Sequence, residues 1–477
     1  MIFYYSKAGV AAVIALITNM FFIFGILASM PQLIALTLPG IAGIILTIGM
    51  SVDANVLIFE RIREELAAGK GMRLAVSDGY KFAYSSIIDA NITTLLTGFV
   101  LWFFGTGPVE GFAKTLVIGI LTSLFTAIFI TRLIFEYNLN RNKKLSFTSK
   151  FTEGFFQNST INFLKNRKKF YILSGVIILI GIGSLATKGL QKGVDFQGGR
   201  TYVVRFQNVE KVETEKVAKQ LALLFETAPE VKTFGDDNQV KITTTYLINS
   251  DDEKADDIVE TKLFEGMSSI IGAEVDKDTF LNTYLMSSQK VGPTIANDMI
   301  RSSILSIVFA LIIIFLYILF RFKQMSFGAG ALIAVFHDVL IVLSLFSIFY
   351  GILPFSLEVD QAFIAAILTV VGYSINDTVV VFDRIREYLG AFKKRDAEDL
   401  VNSALNTTLS RTVNTSLSTI FVLLMIFIFG GEVIRGFAFA LLIGIIVGTY
   451  SSLFIASPIV FDFMKKRDMK EAATIKK

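Results

Sequence analysis

Asp53 stands between Gly49 and Phe59 in the middle of an apolar stretch, and Asp377 stands at the equivalent depth of a second one, next to Asn376. Arg411 stands where a third apolar run begins, among Ser410, Thr412, Asn414, Thr415, Ser416, Ser418 and Thr419. A charge at the centre of a bilayer costs roughly 2.5–3.5 kcal/mol on insertion scales, so each of these is a functional candidate. The chemistry open to them is reversible protonation: burial favours a neutral carboxyl, and a neighbouring guanidinium favours the ionised one. If Arg411 approaches either acid in one conformation only, proton binding and conformation are coupled. The competing interpretation is a static ion pair that fixes helix packing, with Arg411 snorkelling from a helix end.

Secondary candidates are Asp89 and Asn91, in Asp89-Ala-Asn91-Ile-Thr93-Thr94, and the adjacent pair His337 and Asp338. Asp89 also reads as an interfacial cap, and His337 with Asp338 as a hydrogen-bonded pair at mid-depth. The chain has no Cys and a single His, which excludes disulfides, thiolate metal sites and multi-histidine centres. No G-x-x-x-x-G-K-[ST] occurs; Gly69-Lys70-Gly71 and Gly111-Phe112-Ala113-Lys114-Thr115 lack its spacing. No catalytic residue, metal or cofactor is expected, and the energy source left is an ion gradient.

The elements that must hold these charges are membrane helices. Of 477 residues, 53% are hydrophobic and 18% charged, against roughly 25% charged in soluble domains. Runs long enough to span a hydrocarbon core of about 30 Å lie near 9–30, 36–59, 85–104, 112–135, 169–187, 301–320, 328–350, 360–382, 412–430 and 436–461. Lys and Arg crowd the 60–84 loop, the 136–168 linker, the turn after 320, the 383–411 segment and the tail. The alternate loops carry only Arg435. The positive-inside rule therefore places both chain ends in the cytoplasm.

One hydrophilic block, 193–292, falls on the outer side, with 11 basic and 18 acidic residues. An acidic outer domain on a basic-inside bundle argues against nucleic-acid binding. Its pattern is βαββαβ: a strand at 201–206, a helix at 210–227, a hairpin of 231–234 and 240–247 around Gly235–Asn238, a helix at 252–271 and a strand at 280–287. That order suggests a small ferredoxin-like α/β domain. Gly198 and Gly199, at its entrance, read as a backbone hinge.

The chain also repeats itself. Gly49-Met-Ser-Val-Asp-Ala-Asn-Val-Leu-Ile-Phe-Glu-Arg-Ile-Arg-Glu64 matches Gly372-Tyr-Ser-Ile-Asn-Asp-Thr-Val-Val-Val-Phe-Asp-Arg-Ile-Arg-Glu387 at an offset of 323, which persists to Asn91 and Asn414. Both copies have the same sidedness, a parallel repeat of the kind transporters build their sites between. The recurring Arg and Glu at the ends of these segments read as a solvated helix end or as a gate.

At Leu38–Gly43, Ile48–Glu60, Ile88–Thr94 and Phe104–Phe112 the sequence resembles the SecD half of the SecDF protein-export family, a branch of the RND superfamily. Gly193-Val-Asp-Phe-Gln-Gly-Gly-Arg200, Val371–Thr378 and Leu409–Thr415 resemble SecF. The resemblance implies a polytopic α-helical membrane protein, an RND-type pseudo-symmetric bundle of about ten spans. It divides the chain into a SecD-like half (1–135), a basic cytoplasmic linker (136–168), a first SecF-like span (169–192), a periplasmic α/β domain (193–292), a SecF-like bundle (293–464) and a basic tail (465–477). Met1–Lys7 reads as the last turn of an earlier span, so the family's first SecD span and large periplasmic domain are expected upstream. By resemblance Asp53, Asp377 and Arg411 form the proton pathway of an accessory subunit of the translocon. The implied partners are the SecYEG channel, SecA indirectly, YajC, YidC, unfolded preprotein and lipids, in the bacterial cytoplasmic (inner) membrane. The alternatives are an RND-type proton-coupled exporter of a small molecule or lipid, and a passive structural subunit of the channel.

Overall fold

Each apolar run becomes the middle of a longer helix. A computed structural model describes residues 1–31, 37–143, 145–149, 159–207, 209–226, 229–250, 252, 254–271, 275–392 and 394–465. Most of the expected basic tail, Lys144, Lys150, Lys393 and the loop at 32–36 lie outside the described residues. The first four spans are α1 (Ile2–Ser29), α2 (Leu38–Ala67), α3 (Met72–Phe104) and α4 (Pro108–Phe125). The last of these runs on through a π turn, Thr126–Ile130, to Asn140. The Met1–Lys7 segment forms one helical turn before Ser6, whose φ of 53° breaks the axis of α1.

The helix α5 (Phe163–Thr187) then leads into the α/β domain: β1 (Gly199–Arg205), α6 (Thr214–Phe225), β2 (Glu230–Phe234), β3 (Asp236–Thr244), α7 (Ala255–Ile271) and β4 (Leu285–Val291). The second bundle follows as α8 (Pro293–Phe322), α9 (Met325–Phe349), α10 (Gln361–Ala391), α11 (Ala397–Phe429) and α12 (Glu432–Ser451). A π turn, Ser452–Ala456, carries the last helix onward. Ten helices among the described residues are long and apolar enough to cross a membrane, matching the count read from sequence.

The helix ends correct the sequence reading. The run at 412–430 is only the later part of α11, which starts where Asp396 accepts from the amides of Glu398 (3.0 Å) and Asp399 (3.4 Å). A capped acidic first turn starts a helix whatever the lipid depth. In the domain, the strand expected at 280–287 lies at Leu285–Val291, because Phe280–Tyr284 winds into a π turn with Phe280 in the core. The hairpin turn contracts to Gly235, φ 82°, with strand resuming at Asp236.

The four strands pair antiparallel in the order β2-β3-β1-β4. Each helix crosses between two strands that leave room for a third, which is the split βαβ arrangement of the ferredoxin-like fold. Alternation puts Tyr202 and Val204 of β1 on the face covered by Leu221, Phe225, Leu263 and Met267 of α6 and α7. Thr201, Val203 and Arg205 face the bundle, where they line a cleft. The domain is seated by Lys241 on Glu358 (2.8 Å) and by the Asp195 carboxylate, which accepts from the amide of Gln361 at 3.1 Å. The domain therefore rests on the N-terminus of α10, the most enclosed helix in the bundle.

Arg200, 2% exposed, donates to the carbonyl of Tyr246 (2.8 Å) and to Asp256 (3.0 Å). Lys290 also donates to Asp256 (2.8 Å), and the two cations hold its carboxyl below the usual carboxylate range. A carboxyl depressed by folding contributes stability above its unfolded value and loses it as pH falls through the folded one. Protection of β1 amides from hydrogen exchange in the full chain is thus expected to fall below about pH 4. Asp256→Asn is expected to flatten that loss; identical acid limbs would remove Asp256 from the account.

Candidate functional site

The site forms where α2, α10 and α11 meet. Asp53 of α2 and Asn376 of α10 occupy the same position in the two repeats, and the Asn376 amide donates to Asp53 Oδ2 at 3.4 Å. Two equivalent residues touch only where an internal two-fold axis passes between them, so this pair marks that axis. Beside it, Arg411 Nη1 lies 3.4 Å from Asp377 Oδ1, and the Ser452 hydroxyl donates to Asp377 Oδ2 at 3.4 Å. Asp53 lies within electrostatic reach of both Arg411 and Asp377. All four groups are buried.

These bonds are long, and the neighbourhood is under-satisfied. Asp53 Oδ1, Asn55 Oδ1, Asn376 Oδ1, Arg411 Nε and Asn414 Nδ2 are buried with no hydrogen-bond partner among the described residues. An unsatisfied buried polar atom costs about 1–3 kcal/mol. An arrangement with two acids, one fixed cation and spare acceptors is chemically able to take up and release a proton with little rearrangement. Among the described residues no three His, Asp or Glu side chains cluster as metal ligands do.

Arg411 is corrected in position: it lies well inside α11 and is 6% exposed, so it does not snorkel from a helix end. Asp89 is not part of the site and is no interfacial cap: it forms an ion pair with Arg321 and accepts from the Tyr317 hydroxyl at 3.0 Å, fastening α3 to α8. Asn91 donates to the Ile87 carbonyl of its own helix at 2.8 Å. Asn414 follows Arg411 by about one turn of α11. His337 and Asp338 do pair, at 2.8 Å, inside the second bundle. Gly198 and Gly199, with φ of 73° and 142°, sit at the start of β1. Sequence reasoning missed Asn55 and Ser452; an amide two residues from Asp53 in an apolar helix was the available signal for the first.

The recurring Arg and Glu residues pair across the halves. Arg384 reaches Glu64 (2.7 Å) and Arg61 reaches Glu387 (3.6 Å), while Arg61–Glu64 (2.7 Å) and Arg384–Glu387 (2.9 Å) close the circuit. This four-member ring lies at the end of the bundle away from the domain. It lines a cavity of about 420 Å³ that has Arg411 in its wall. At the domain end, cavities of about 500 and 360 Å³ are lined by Asp360, Ala362 and Phe437. Along α10, Ile367, Leu368 and Val370 pack into the core between those cavities and the acids.

A family model described as "Protein export membrane protein SecD/SecF, C-terminal" matches residues 1–141 and 272–466, and one described as "SecD/SecF GG Motif" matches 183–208. The protein translocase subunit SecF of Rhodothermus marinus is 45% identical over 308 residues, covering 64% of this chain and 94% of that one. The protein translocase subunit SecDF of Bacillus subtilis is 34% identical over 490 residues, covering 99% of this chain and 63% of that one. The crystal structure of SecDF from Thermus thermophilus superposes with a TM-score of 0.84 at 33% identity, over 97% of this chain and 60% of that one. A crystal structure of SecDF in a super-membrane-facing form gives 0.76 at the same identity, over 99% and 61%. The chain thus spans about three fifths of the SecDF relatives it matches. On its sequence, its ten helices and its domain topology, the chain belongs to the SecD/SecF family of protein-export membrane proteins.

Proposed function

We propose that this chain is the ion-driven membrane part of an accessory subunit of the Sec translocon, using the proton-motive force to assist late movement of preprotein across the membrane. The observation that carries this is the Asp53–Asn376–Asp377–Arg411 cluster, loosely bonded on the internal axis, with Arg411 in the wall of the cavity at the ring end. Asp53, Asp377 and Arg411 are the proton-pathway residues, with Asn376 and Asn414 beside them. The ring end, dense in Lys and Arg, faces the cytoplasm, which leaves the α/β domain outside. This chain then lies in the bacterial cytoplasmic membrane beside the SecYEG channel, with SecA, YajC and YidC as neighbours in the same assembly. Gly198 and Gly199 form the hinge through which the domain moves on the bundle. Two solved SecDF structures, equally identical to this chain but superposing unequally, support motion within the family.

The test is translocation in vesicles holding the channel, its ATPase and this protein in its full natural length. After initiation, collapsing the proton gradient with an ionophore is expected to slow completion several-fold only when this protein is present. Replacing the proton gradient with a sodium gradient is expected not to restore the rate. Equal completion with and without the gradient would defeat the ion-driven reading.

A further inference from the structure

His337 and Asp338 of α9 take no part in the cluster just described, yet they are wired to it. Asp338 Oδ2 accepts from the Ser374 hydroxyl of α10 (2.6 Å) and from the Ser451 hydroxyl of α12 (2.8 Å). Ser374 lies one turn before Asp377 on the same helix. Ser451 is the neighbour of Ser452, which donates to Asp377. Two adjacent serines therefore hold two different carboxylates. Ser452 also opens the π turn Ser452–Ala456, a local underwinding of the helix that is common at functional positions.

On its other side the pair reaches α5. His337 Nδ1 donates to Asp338 Oδ1 at 2.8 Å and Nε2 bonds the Ser174 hydroxyl at 2.9 Å, so both ring nitrogens are used in the tautomer that puts the proton on Nδ1. Ser174 in turn meets the Tyr450 hydroxyl at 3.1 Å. The bond lies in a seam of matched spacing: Ser174, Gly181 and Ser184 of α5 face His337, Ser344 and Ser347 of α9. There a Cβ on Gly181 would overlap Ser344, and Ser184 bonds Ser347 at 2.8 Å. Small residues at this spacing let two parallel helices approach closely. Elsewhere α5 is held at its start, by the buried Phe163 and Leu164 and by Arg167 on Asp462 (3.0 Å), while only 11% of its most apolar stretch is buried. Yet it leads directly into the α/β domain.

We propose that His337 and Asp338 are positioning residues that carry the state of the ion site to α5, and through it to the α/β domain. The inference rests on the ion-driven reading above. When the charge on Asp377 changes, its hold on Ser452 changes; the π turn lets Ser451 follow, and Asp338 loses or regains a donor. His337 then tightens or releases Ser174. The titratable group facing the pair is Tyr450 of α12, whose ring centre is 6.0 Å from that of His337; Asp377 of α10, paired with Arg411 of α11, is reached through Ser451 and Ser452. No charged residue of α5 bonds the pair among the described residues.

These 477 residues contain no cysteine, so a spin-label pair can be introduced at Leu223 of the domain and Phe103 of the first half, 85% and 80% exposed. In the reconstituted full chain, lowering the pH from 8 to 5.5, or introducing Asp53→Asn at pH 8, is expected to shift the distance distribution. His337→Ala and Ser174→Ala are expected to cut that shift about fivefold or more. His337→Gln, which keeps one hydrogen bond, is expected to restore part of it, an effect that loss of packing alone would not give. An unchanged shift in His337→Ala and Ser174→Ala overturns the inference and leaves the ion-driven reading standing. No shift in the wild-type chain overturns both.

Discussion

A chain carrying Asp53→Asn together with Asp377→Asn is expected to lose folded, membrane-inserted protein, whereas Arg411→Met is expected to insert normally and lose only its response to the gradient. The asymmetry follows from what each residue can do when abandoned. Without Arg411, the two carboxyls neutralise by taking up protons, and no charge remains buried. Without both acids, Arg411 keeps a guanidinium that does not deprotonate at any accessible pH. Removing the partners of a buried charge costs about 3–5 kcal/mol, a large share of the roughly 5–15 kcal/mol that holds a domain folded. The cavity at Arg411 brings the expected loss toward the lower figure. Each single acid variant leaves one carboxylate to face Arg411, so each should assemble while gradient-dependent translocation falls to the level seen without the protein. Yield after solubilisation, thermal unfolding and the translocation assay read these outcomes. Wild-type stability in the doubly neutralised chain would show that Arg411 does not depend on these acids, and wild-type activity in all three single variants would leave a passive subunit.

The second large effect is expected at the entrance to β1. Gly199 adopts φ 142°, and a Cβ there would lie 2.8 Å from the Thr244 carbonyl oxygen, in the first rungs of the β1–β3 ladder. That neighbour is backbone and has no side-chain freedom with which to give way. Gly199→Val must therefore displace the ladder, and with it the buried Arg200 that anchors Tyr246 and Asp256. Strain at such a backbone position costs of order 1–3 kcal/mol, and losing the Arg200 bonds adds to it. Gly198→Ala meets no atom closer than 3.5 Å and carries only the left-handed backbone term, about 1 kcal/mol. Proteolysis and hydrogen exchange of the domain in the full chain should rank Gly199→Val far below Gly198→Ala, with the ion-site bundle intact in both. Equal protection in the two variants would mean that the ladder does not need a glycine at 199.

Much of this was legible in the sequence. The ten spans, the repeat and the three central charges stood out because a bilayer makes apolar length and stray charge conspicuous. The ferredoxin-like order of the domain followed from alternation and turn residues. The starts of α3 and α11 were not legible, because hydropathy finds where lipid stops and not where a helix does. Arg411 consequently seemed terminal, although Asp396 starts the helix several turns earlier. The Asp89–Arg321 tie was hidden for another reason. It joins α3 to α8, and no local pattern says which distant helix a buried acid will meet. The bonds from His337 to Ser174 and from Asp338 to Ser451 belong to the same class. The sequence could show that the pair was internal, while its wiring depended on four helices packing at once.

The charged ring has a bearing on symmetry. Each copy of the repeat carries both an Arg and a Glu of the ring, so one half paired with its own duplicate would make the same four contacts. Nothing in the ring requires the halves to differ. The ion site does require it: the position of Arg411 is held in the first half by Ile88, and that of Asp377 by Ala54. Two first halves would bring two acids together with no cation, and two second halves would bring two ion pairs. The ring is thus the contact that a symmetric pair of identical halves would make, whereas the charges at the axis are where the two copies differ.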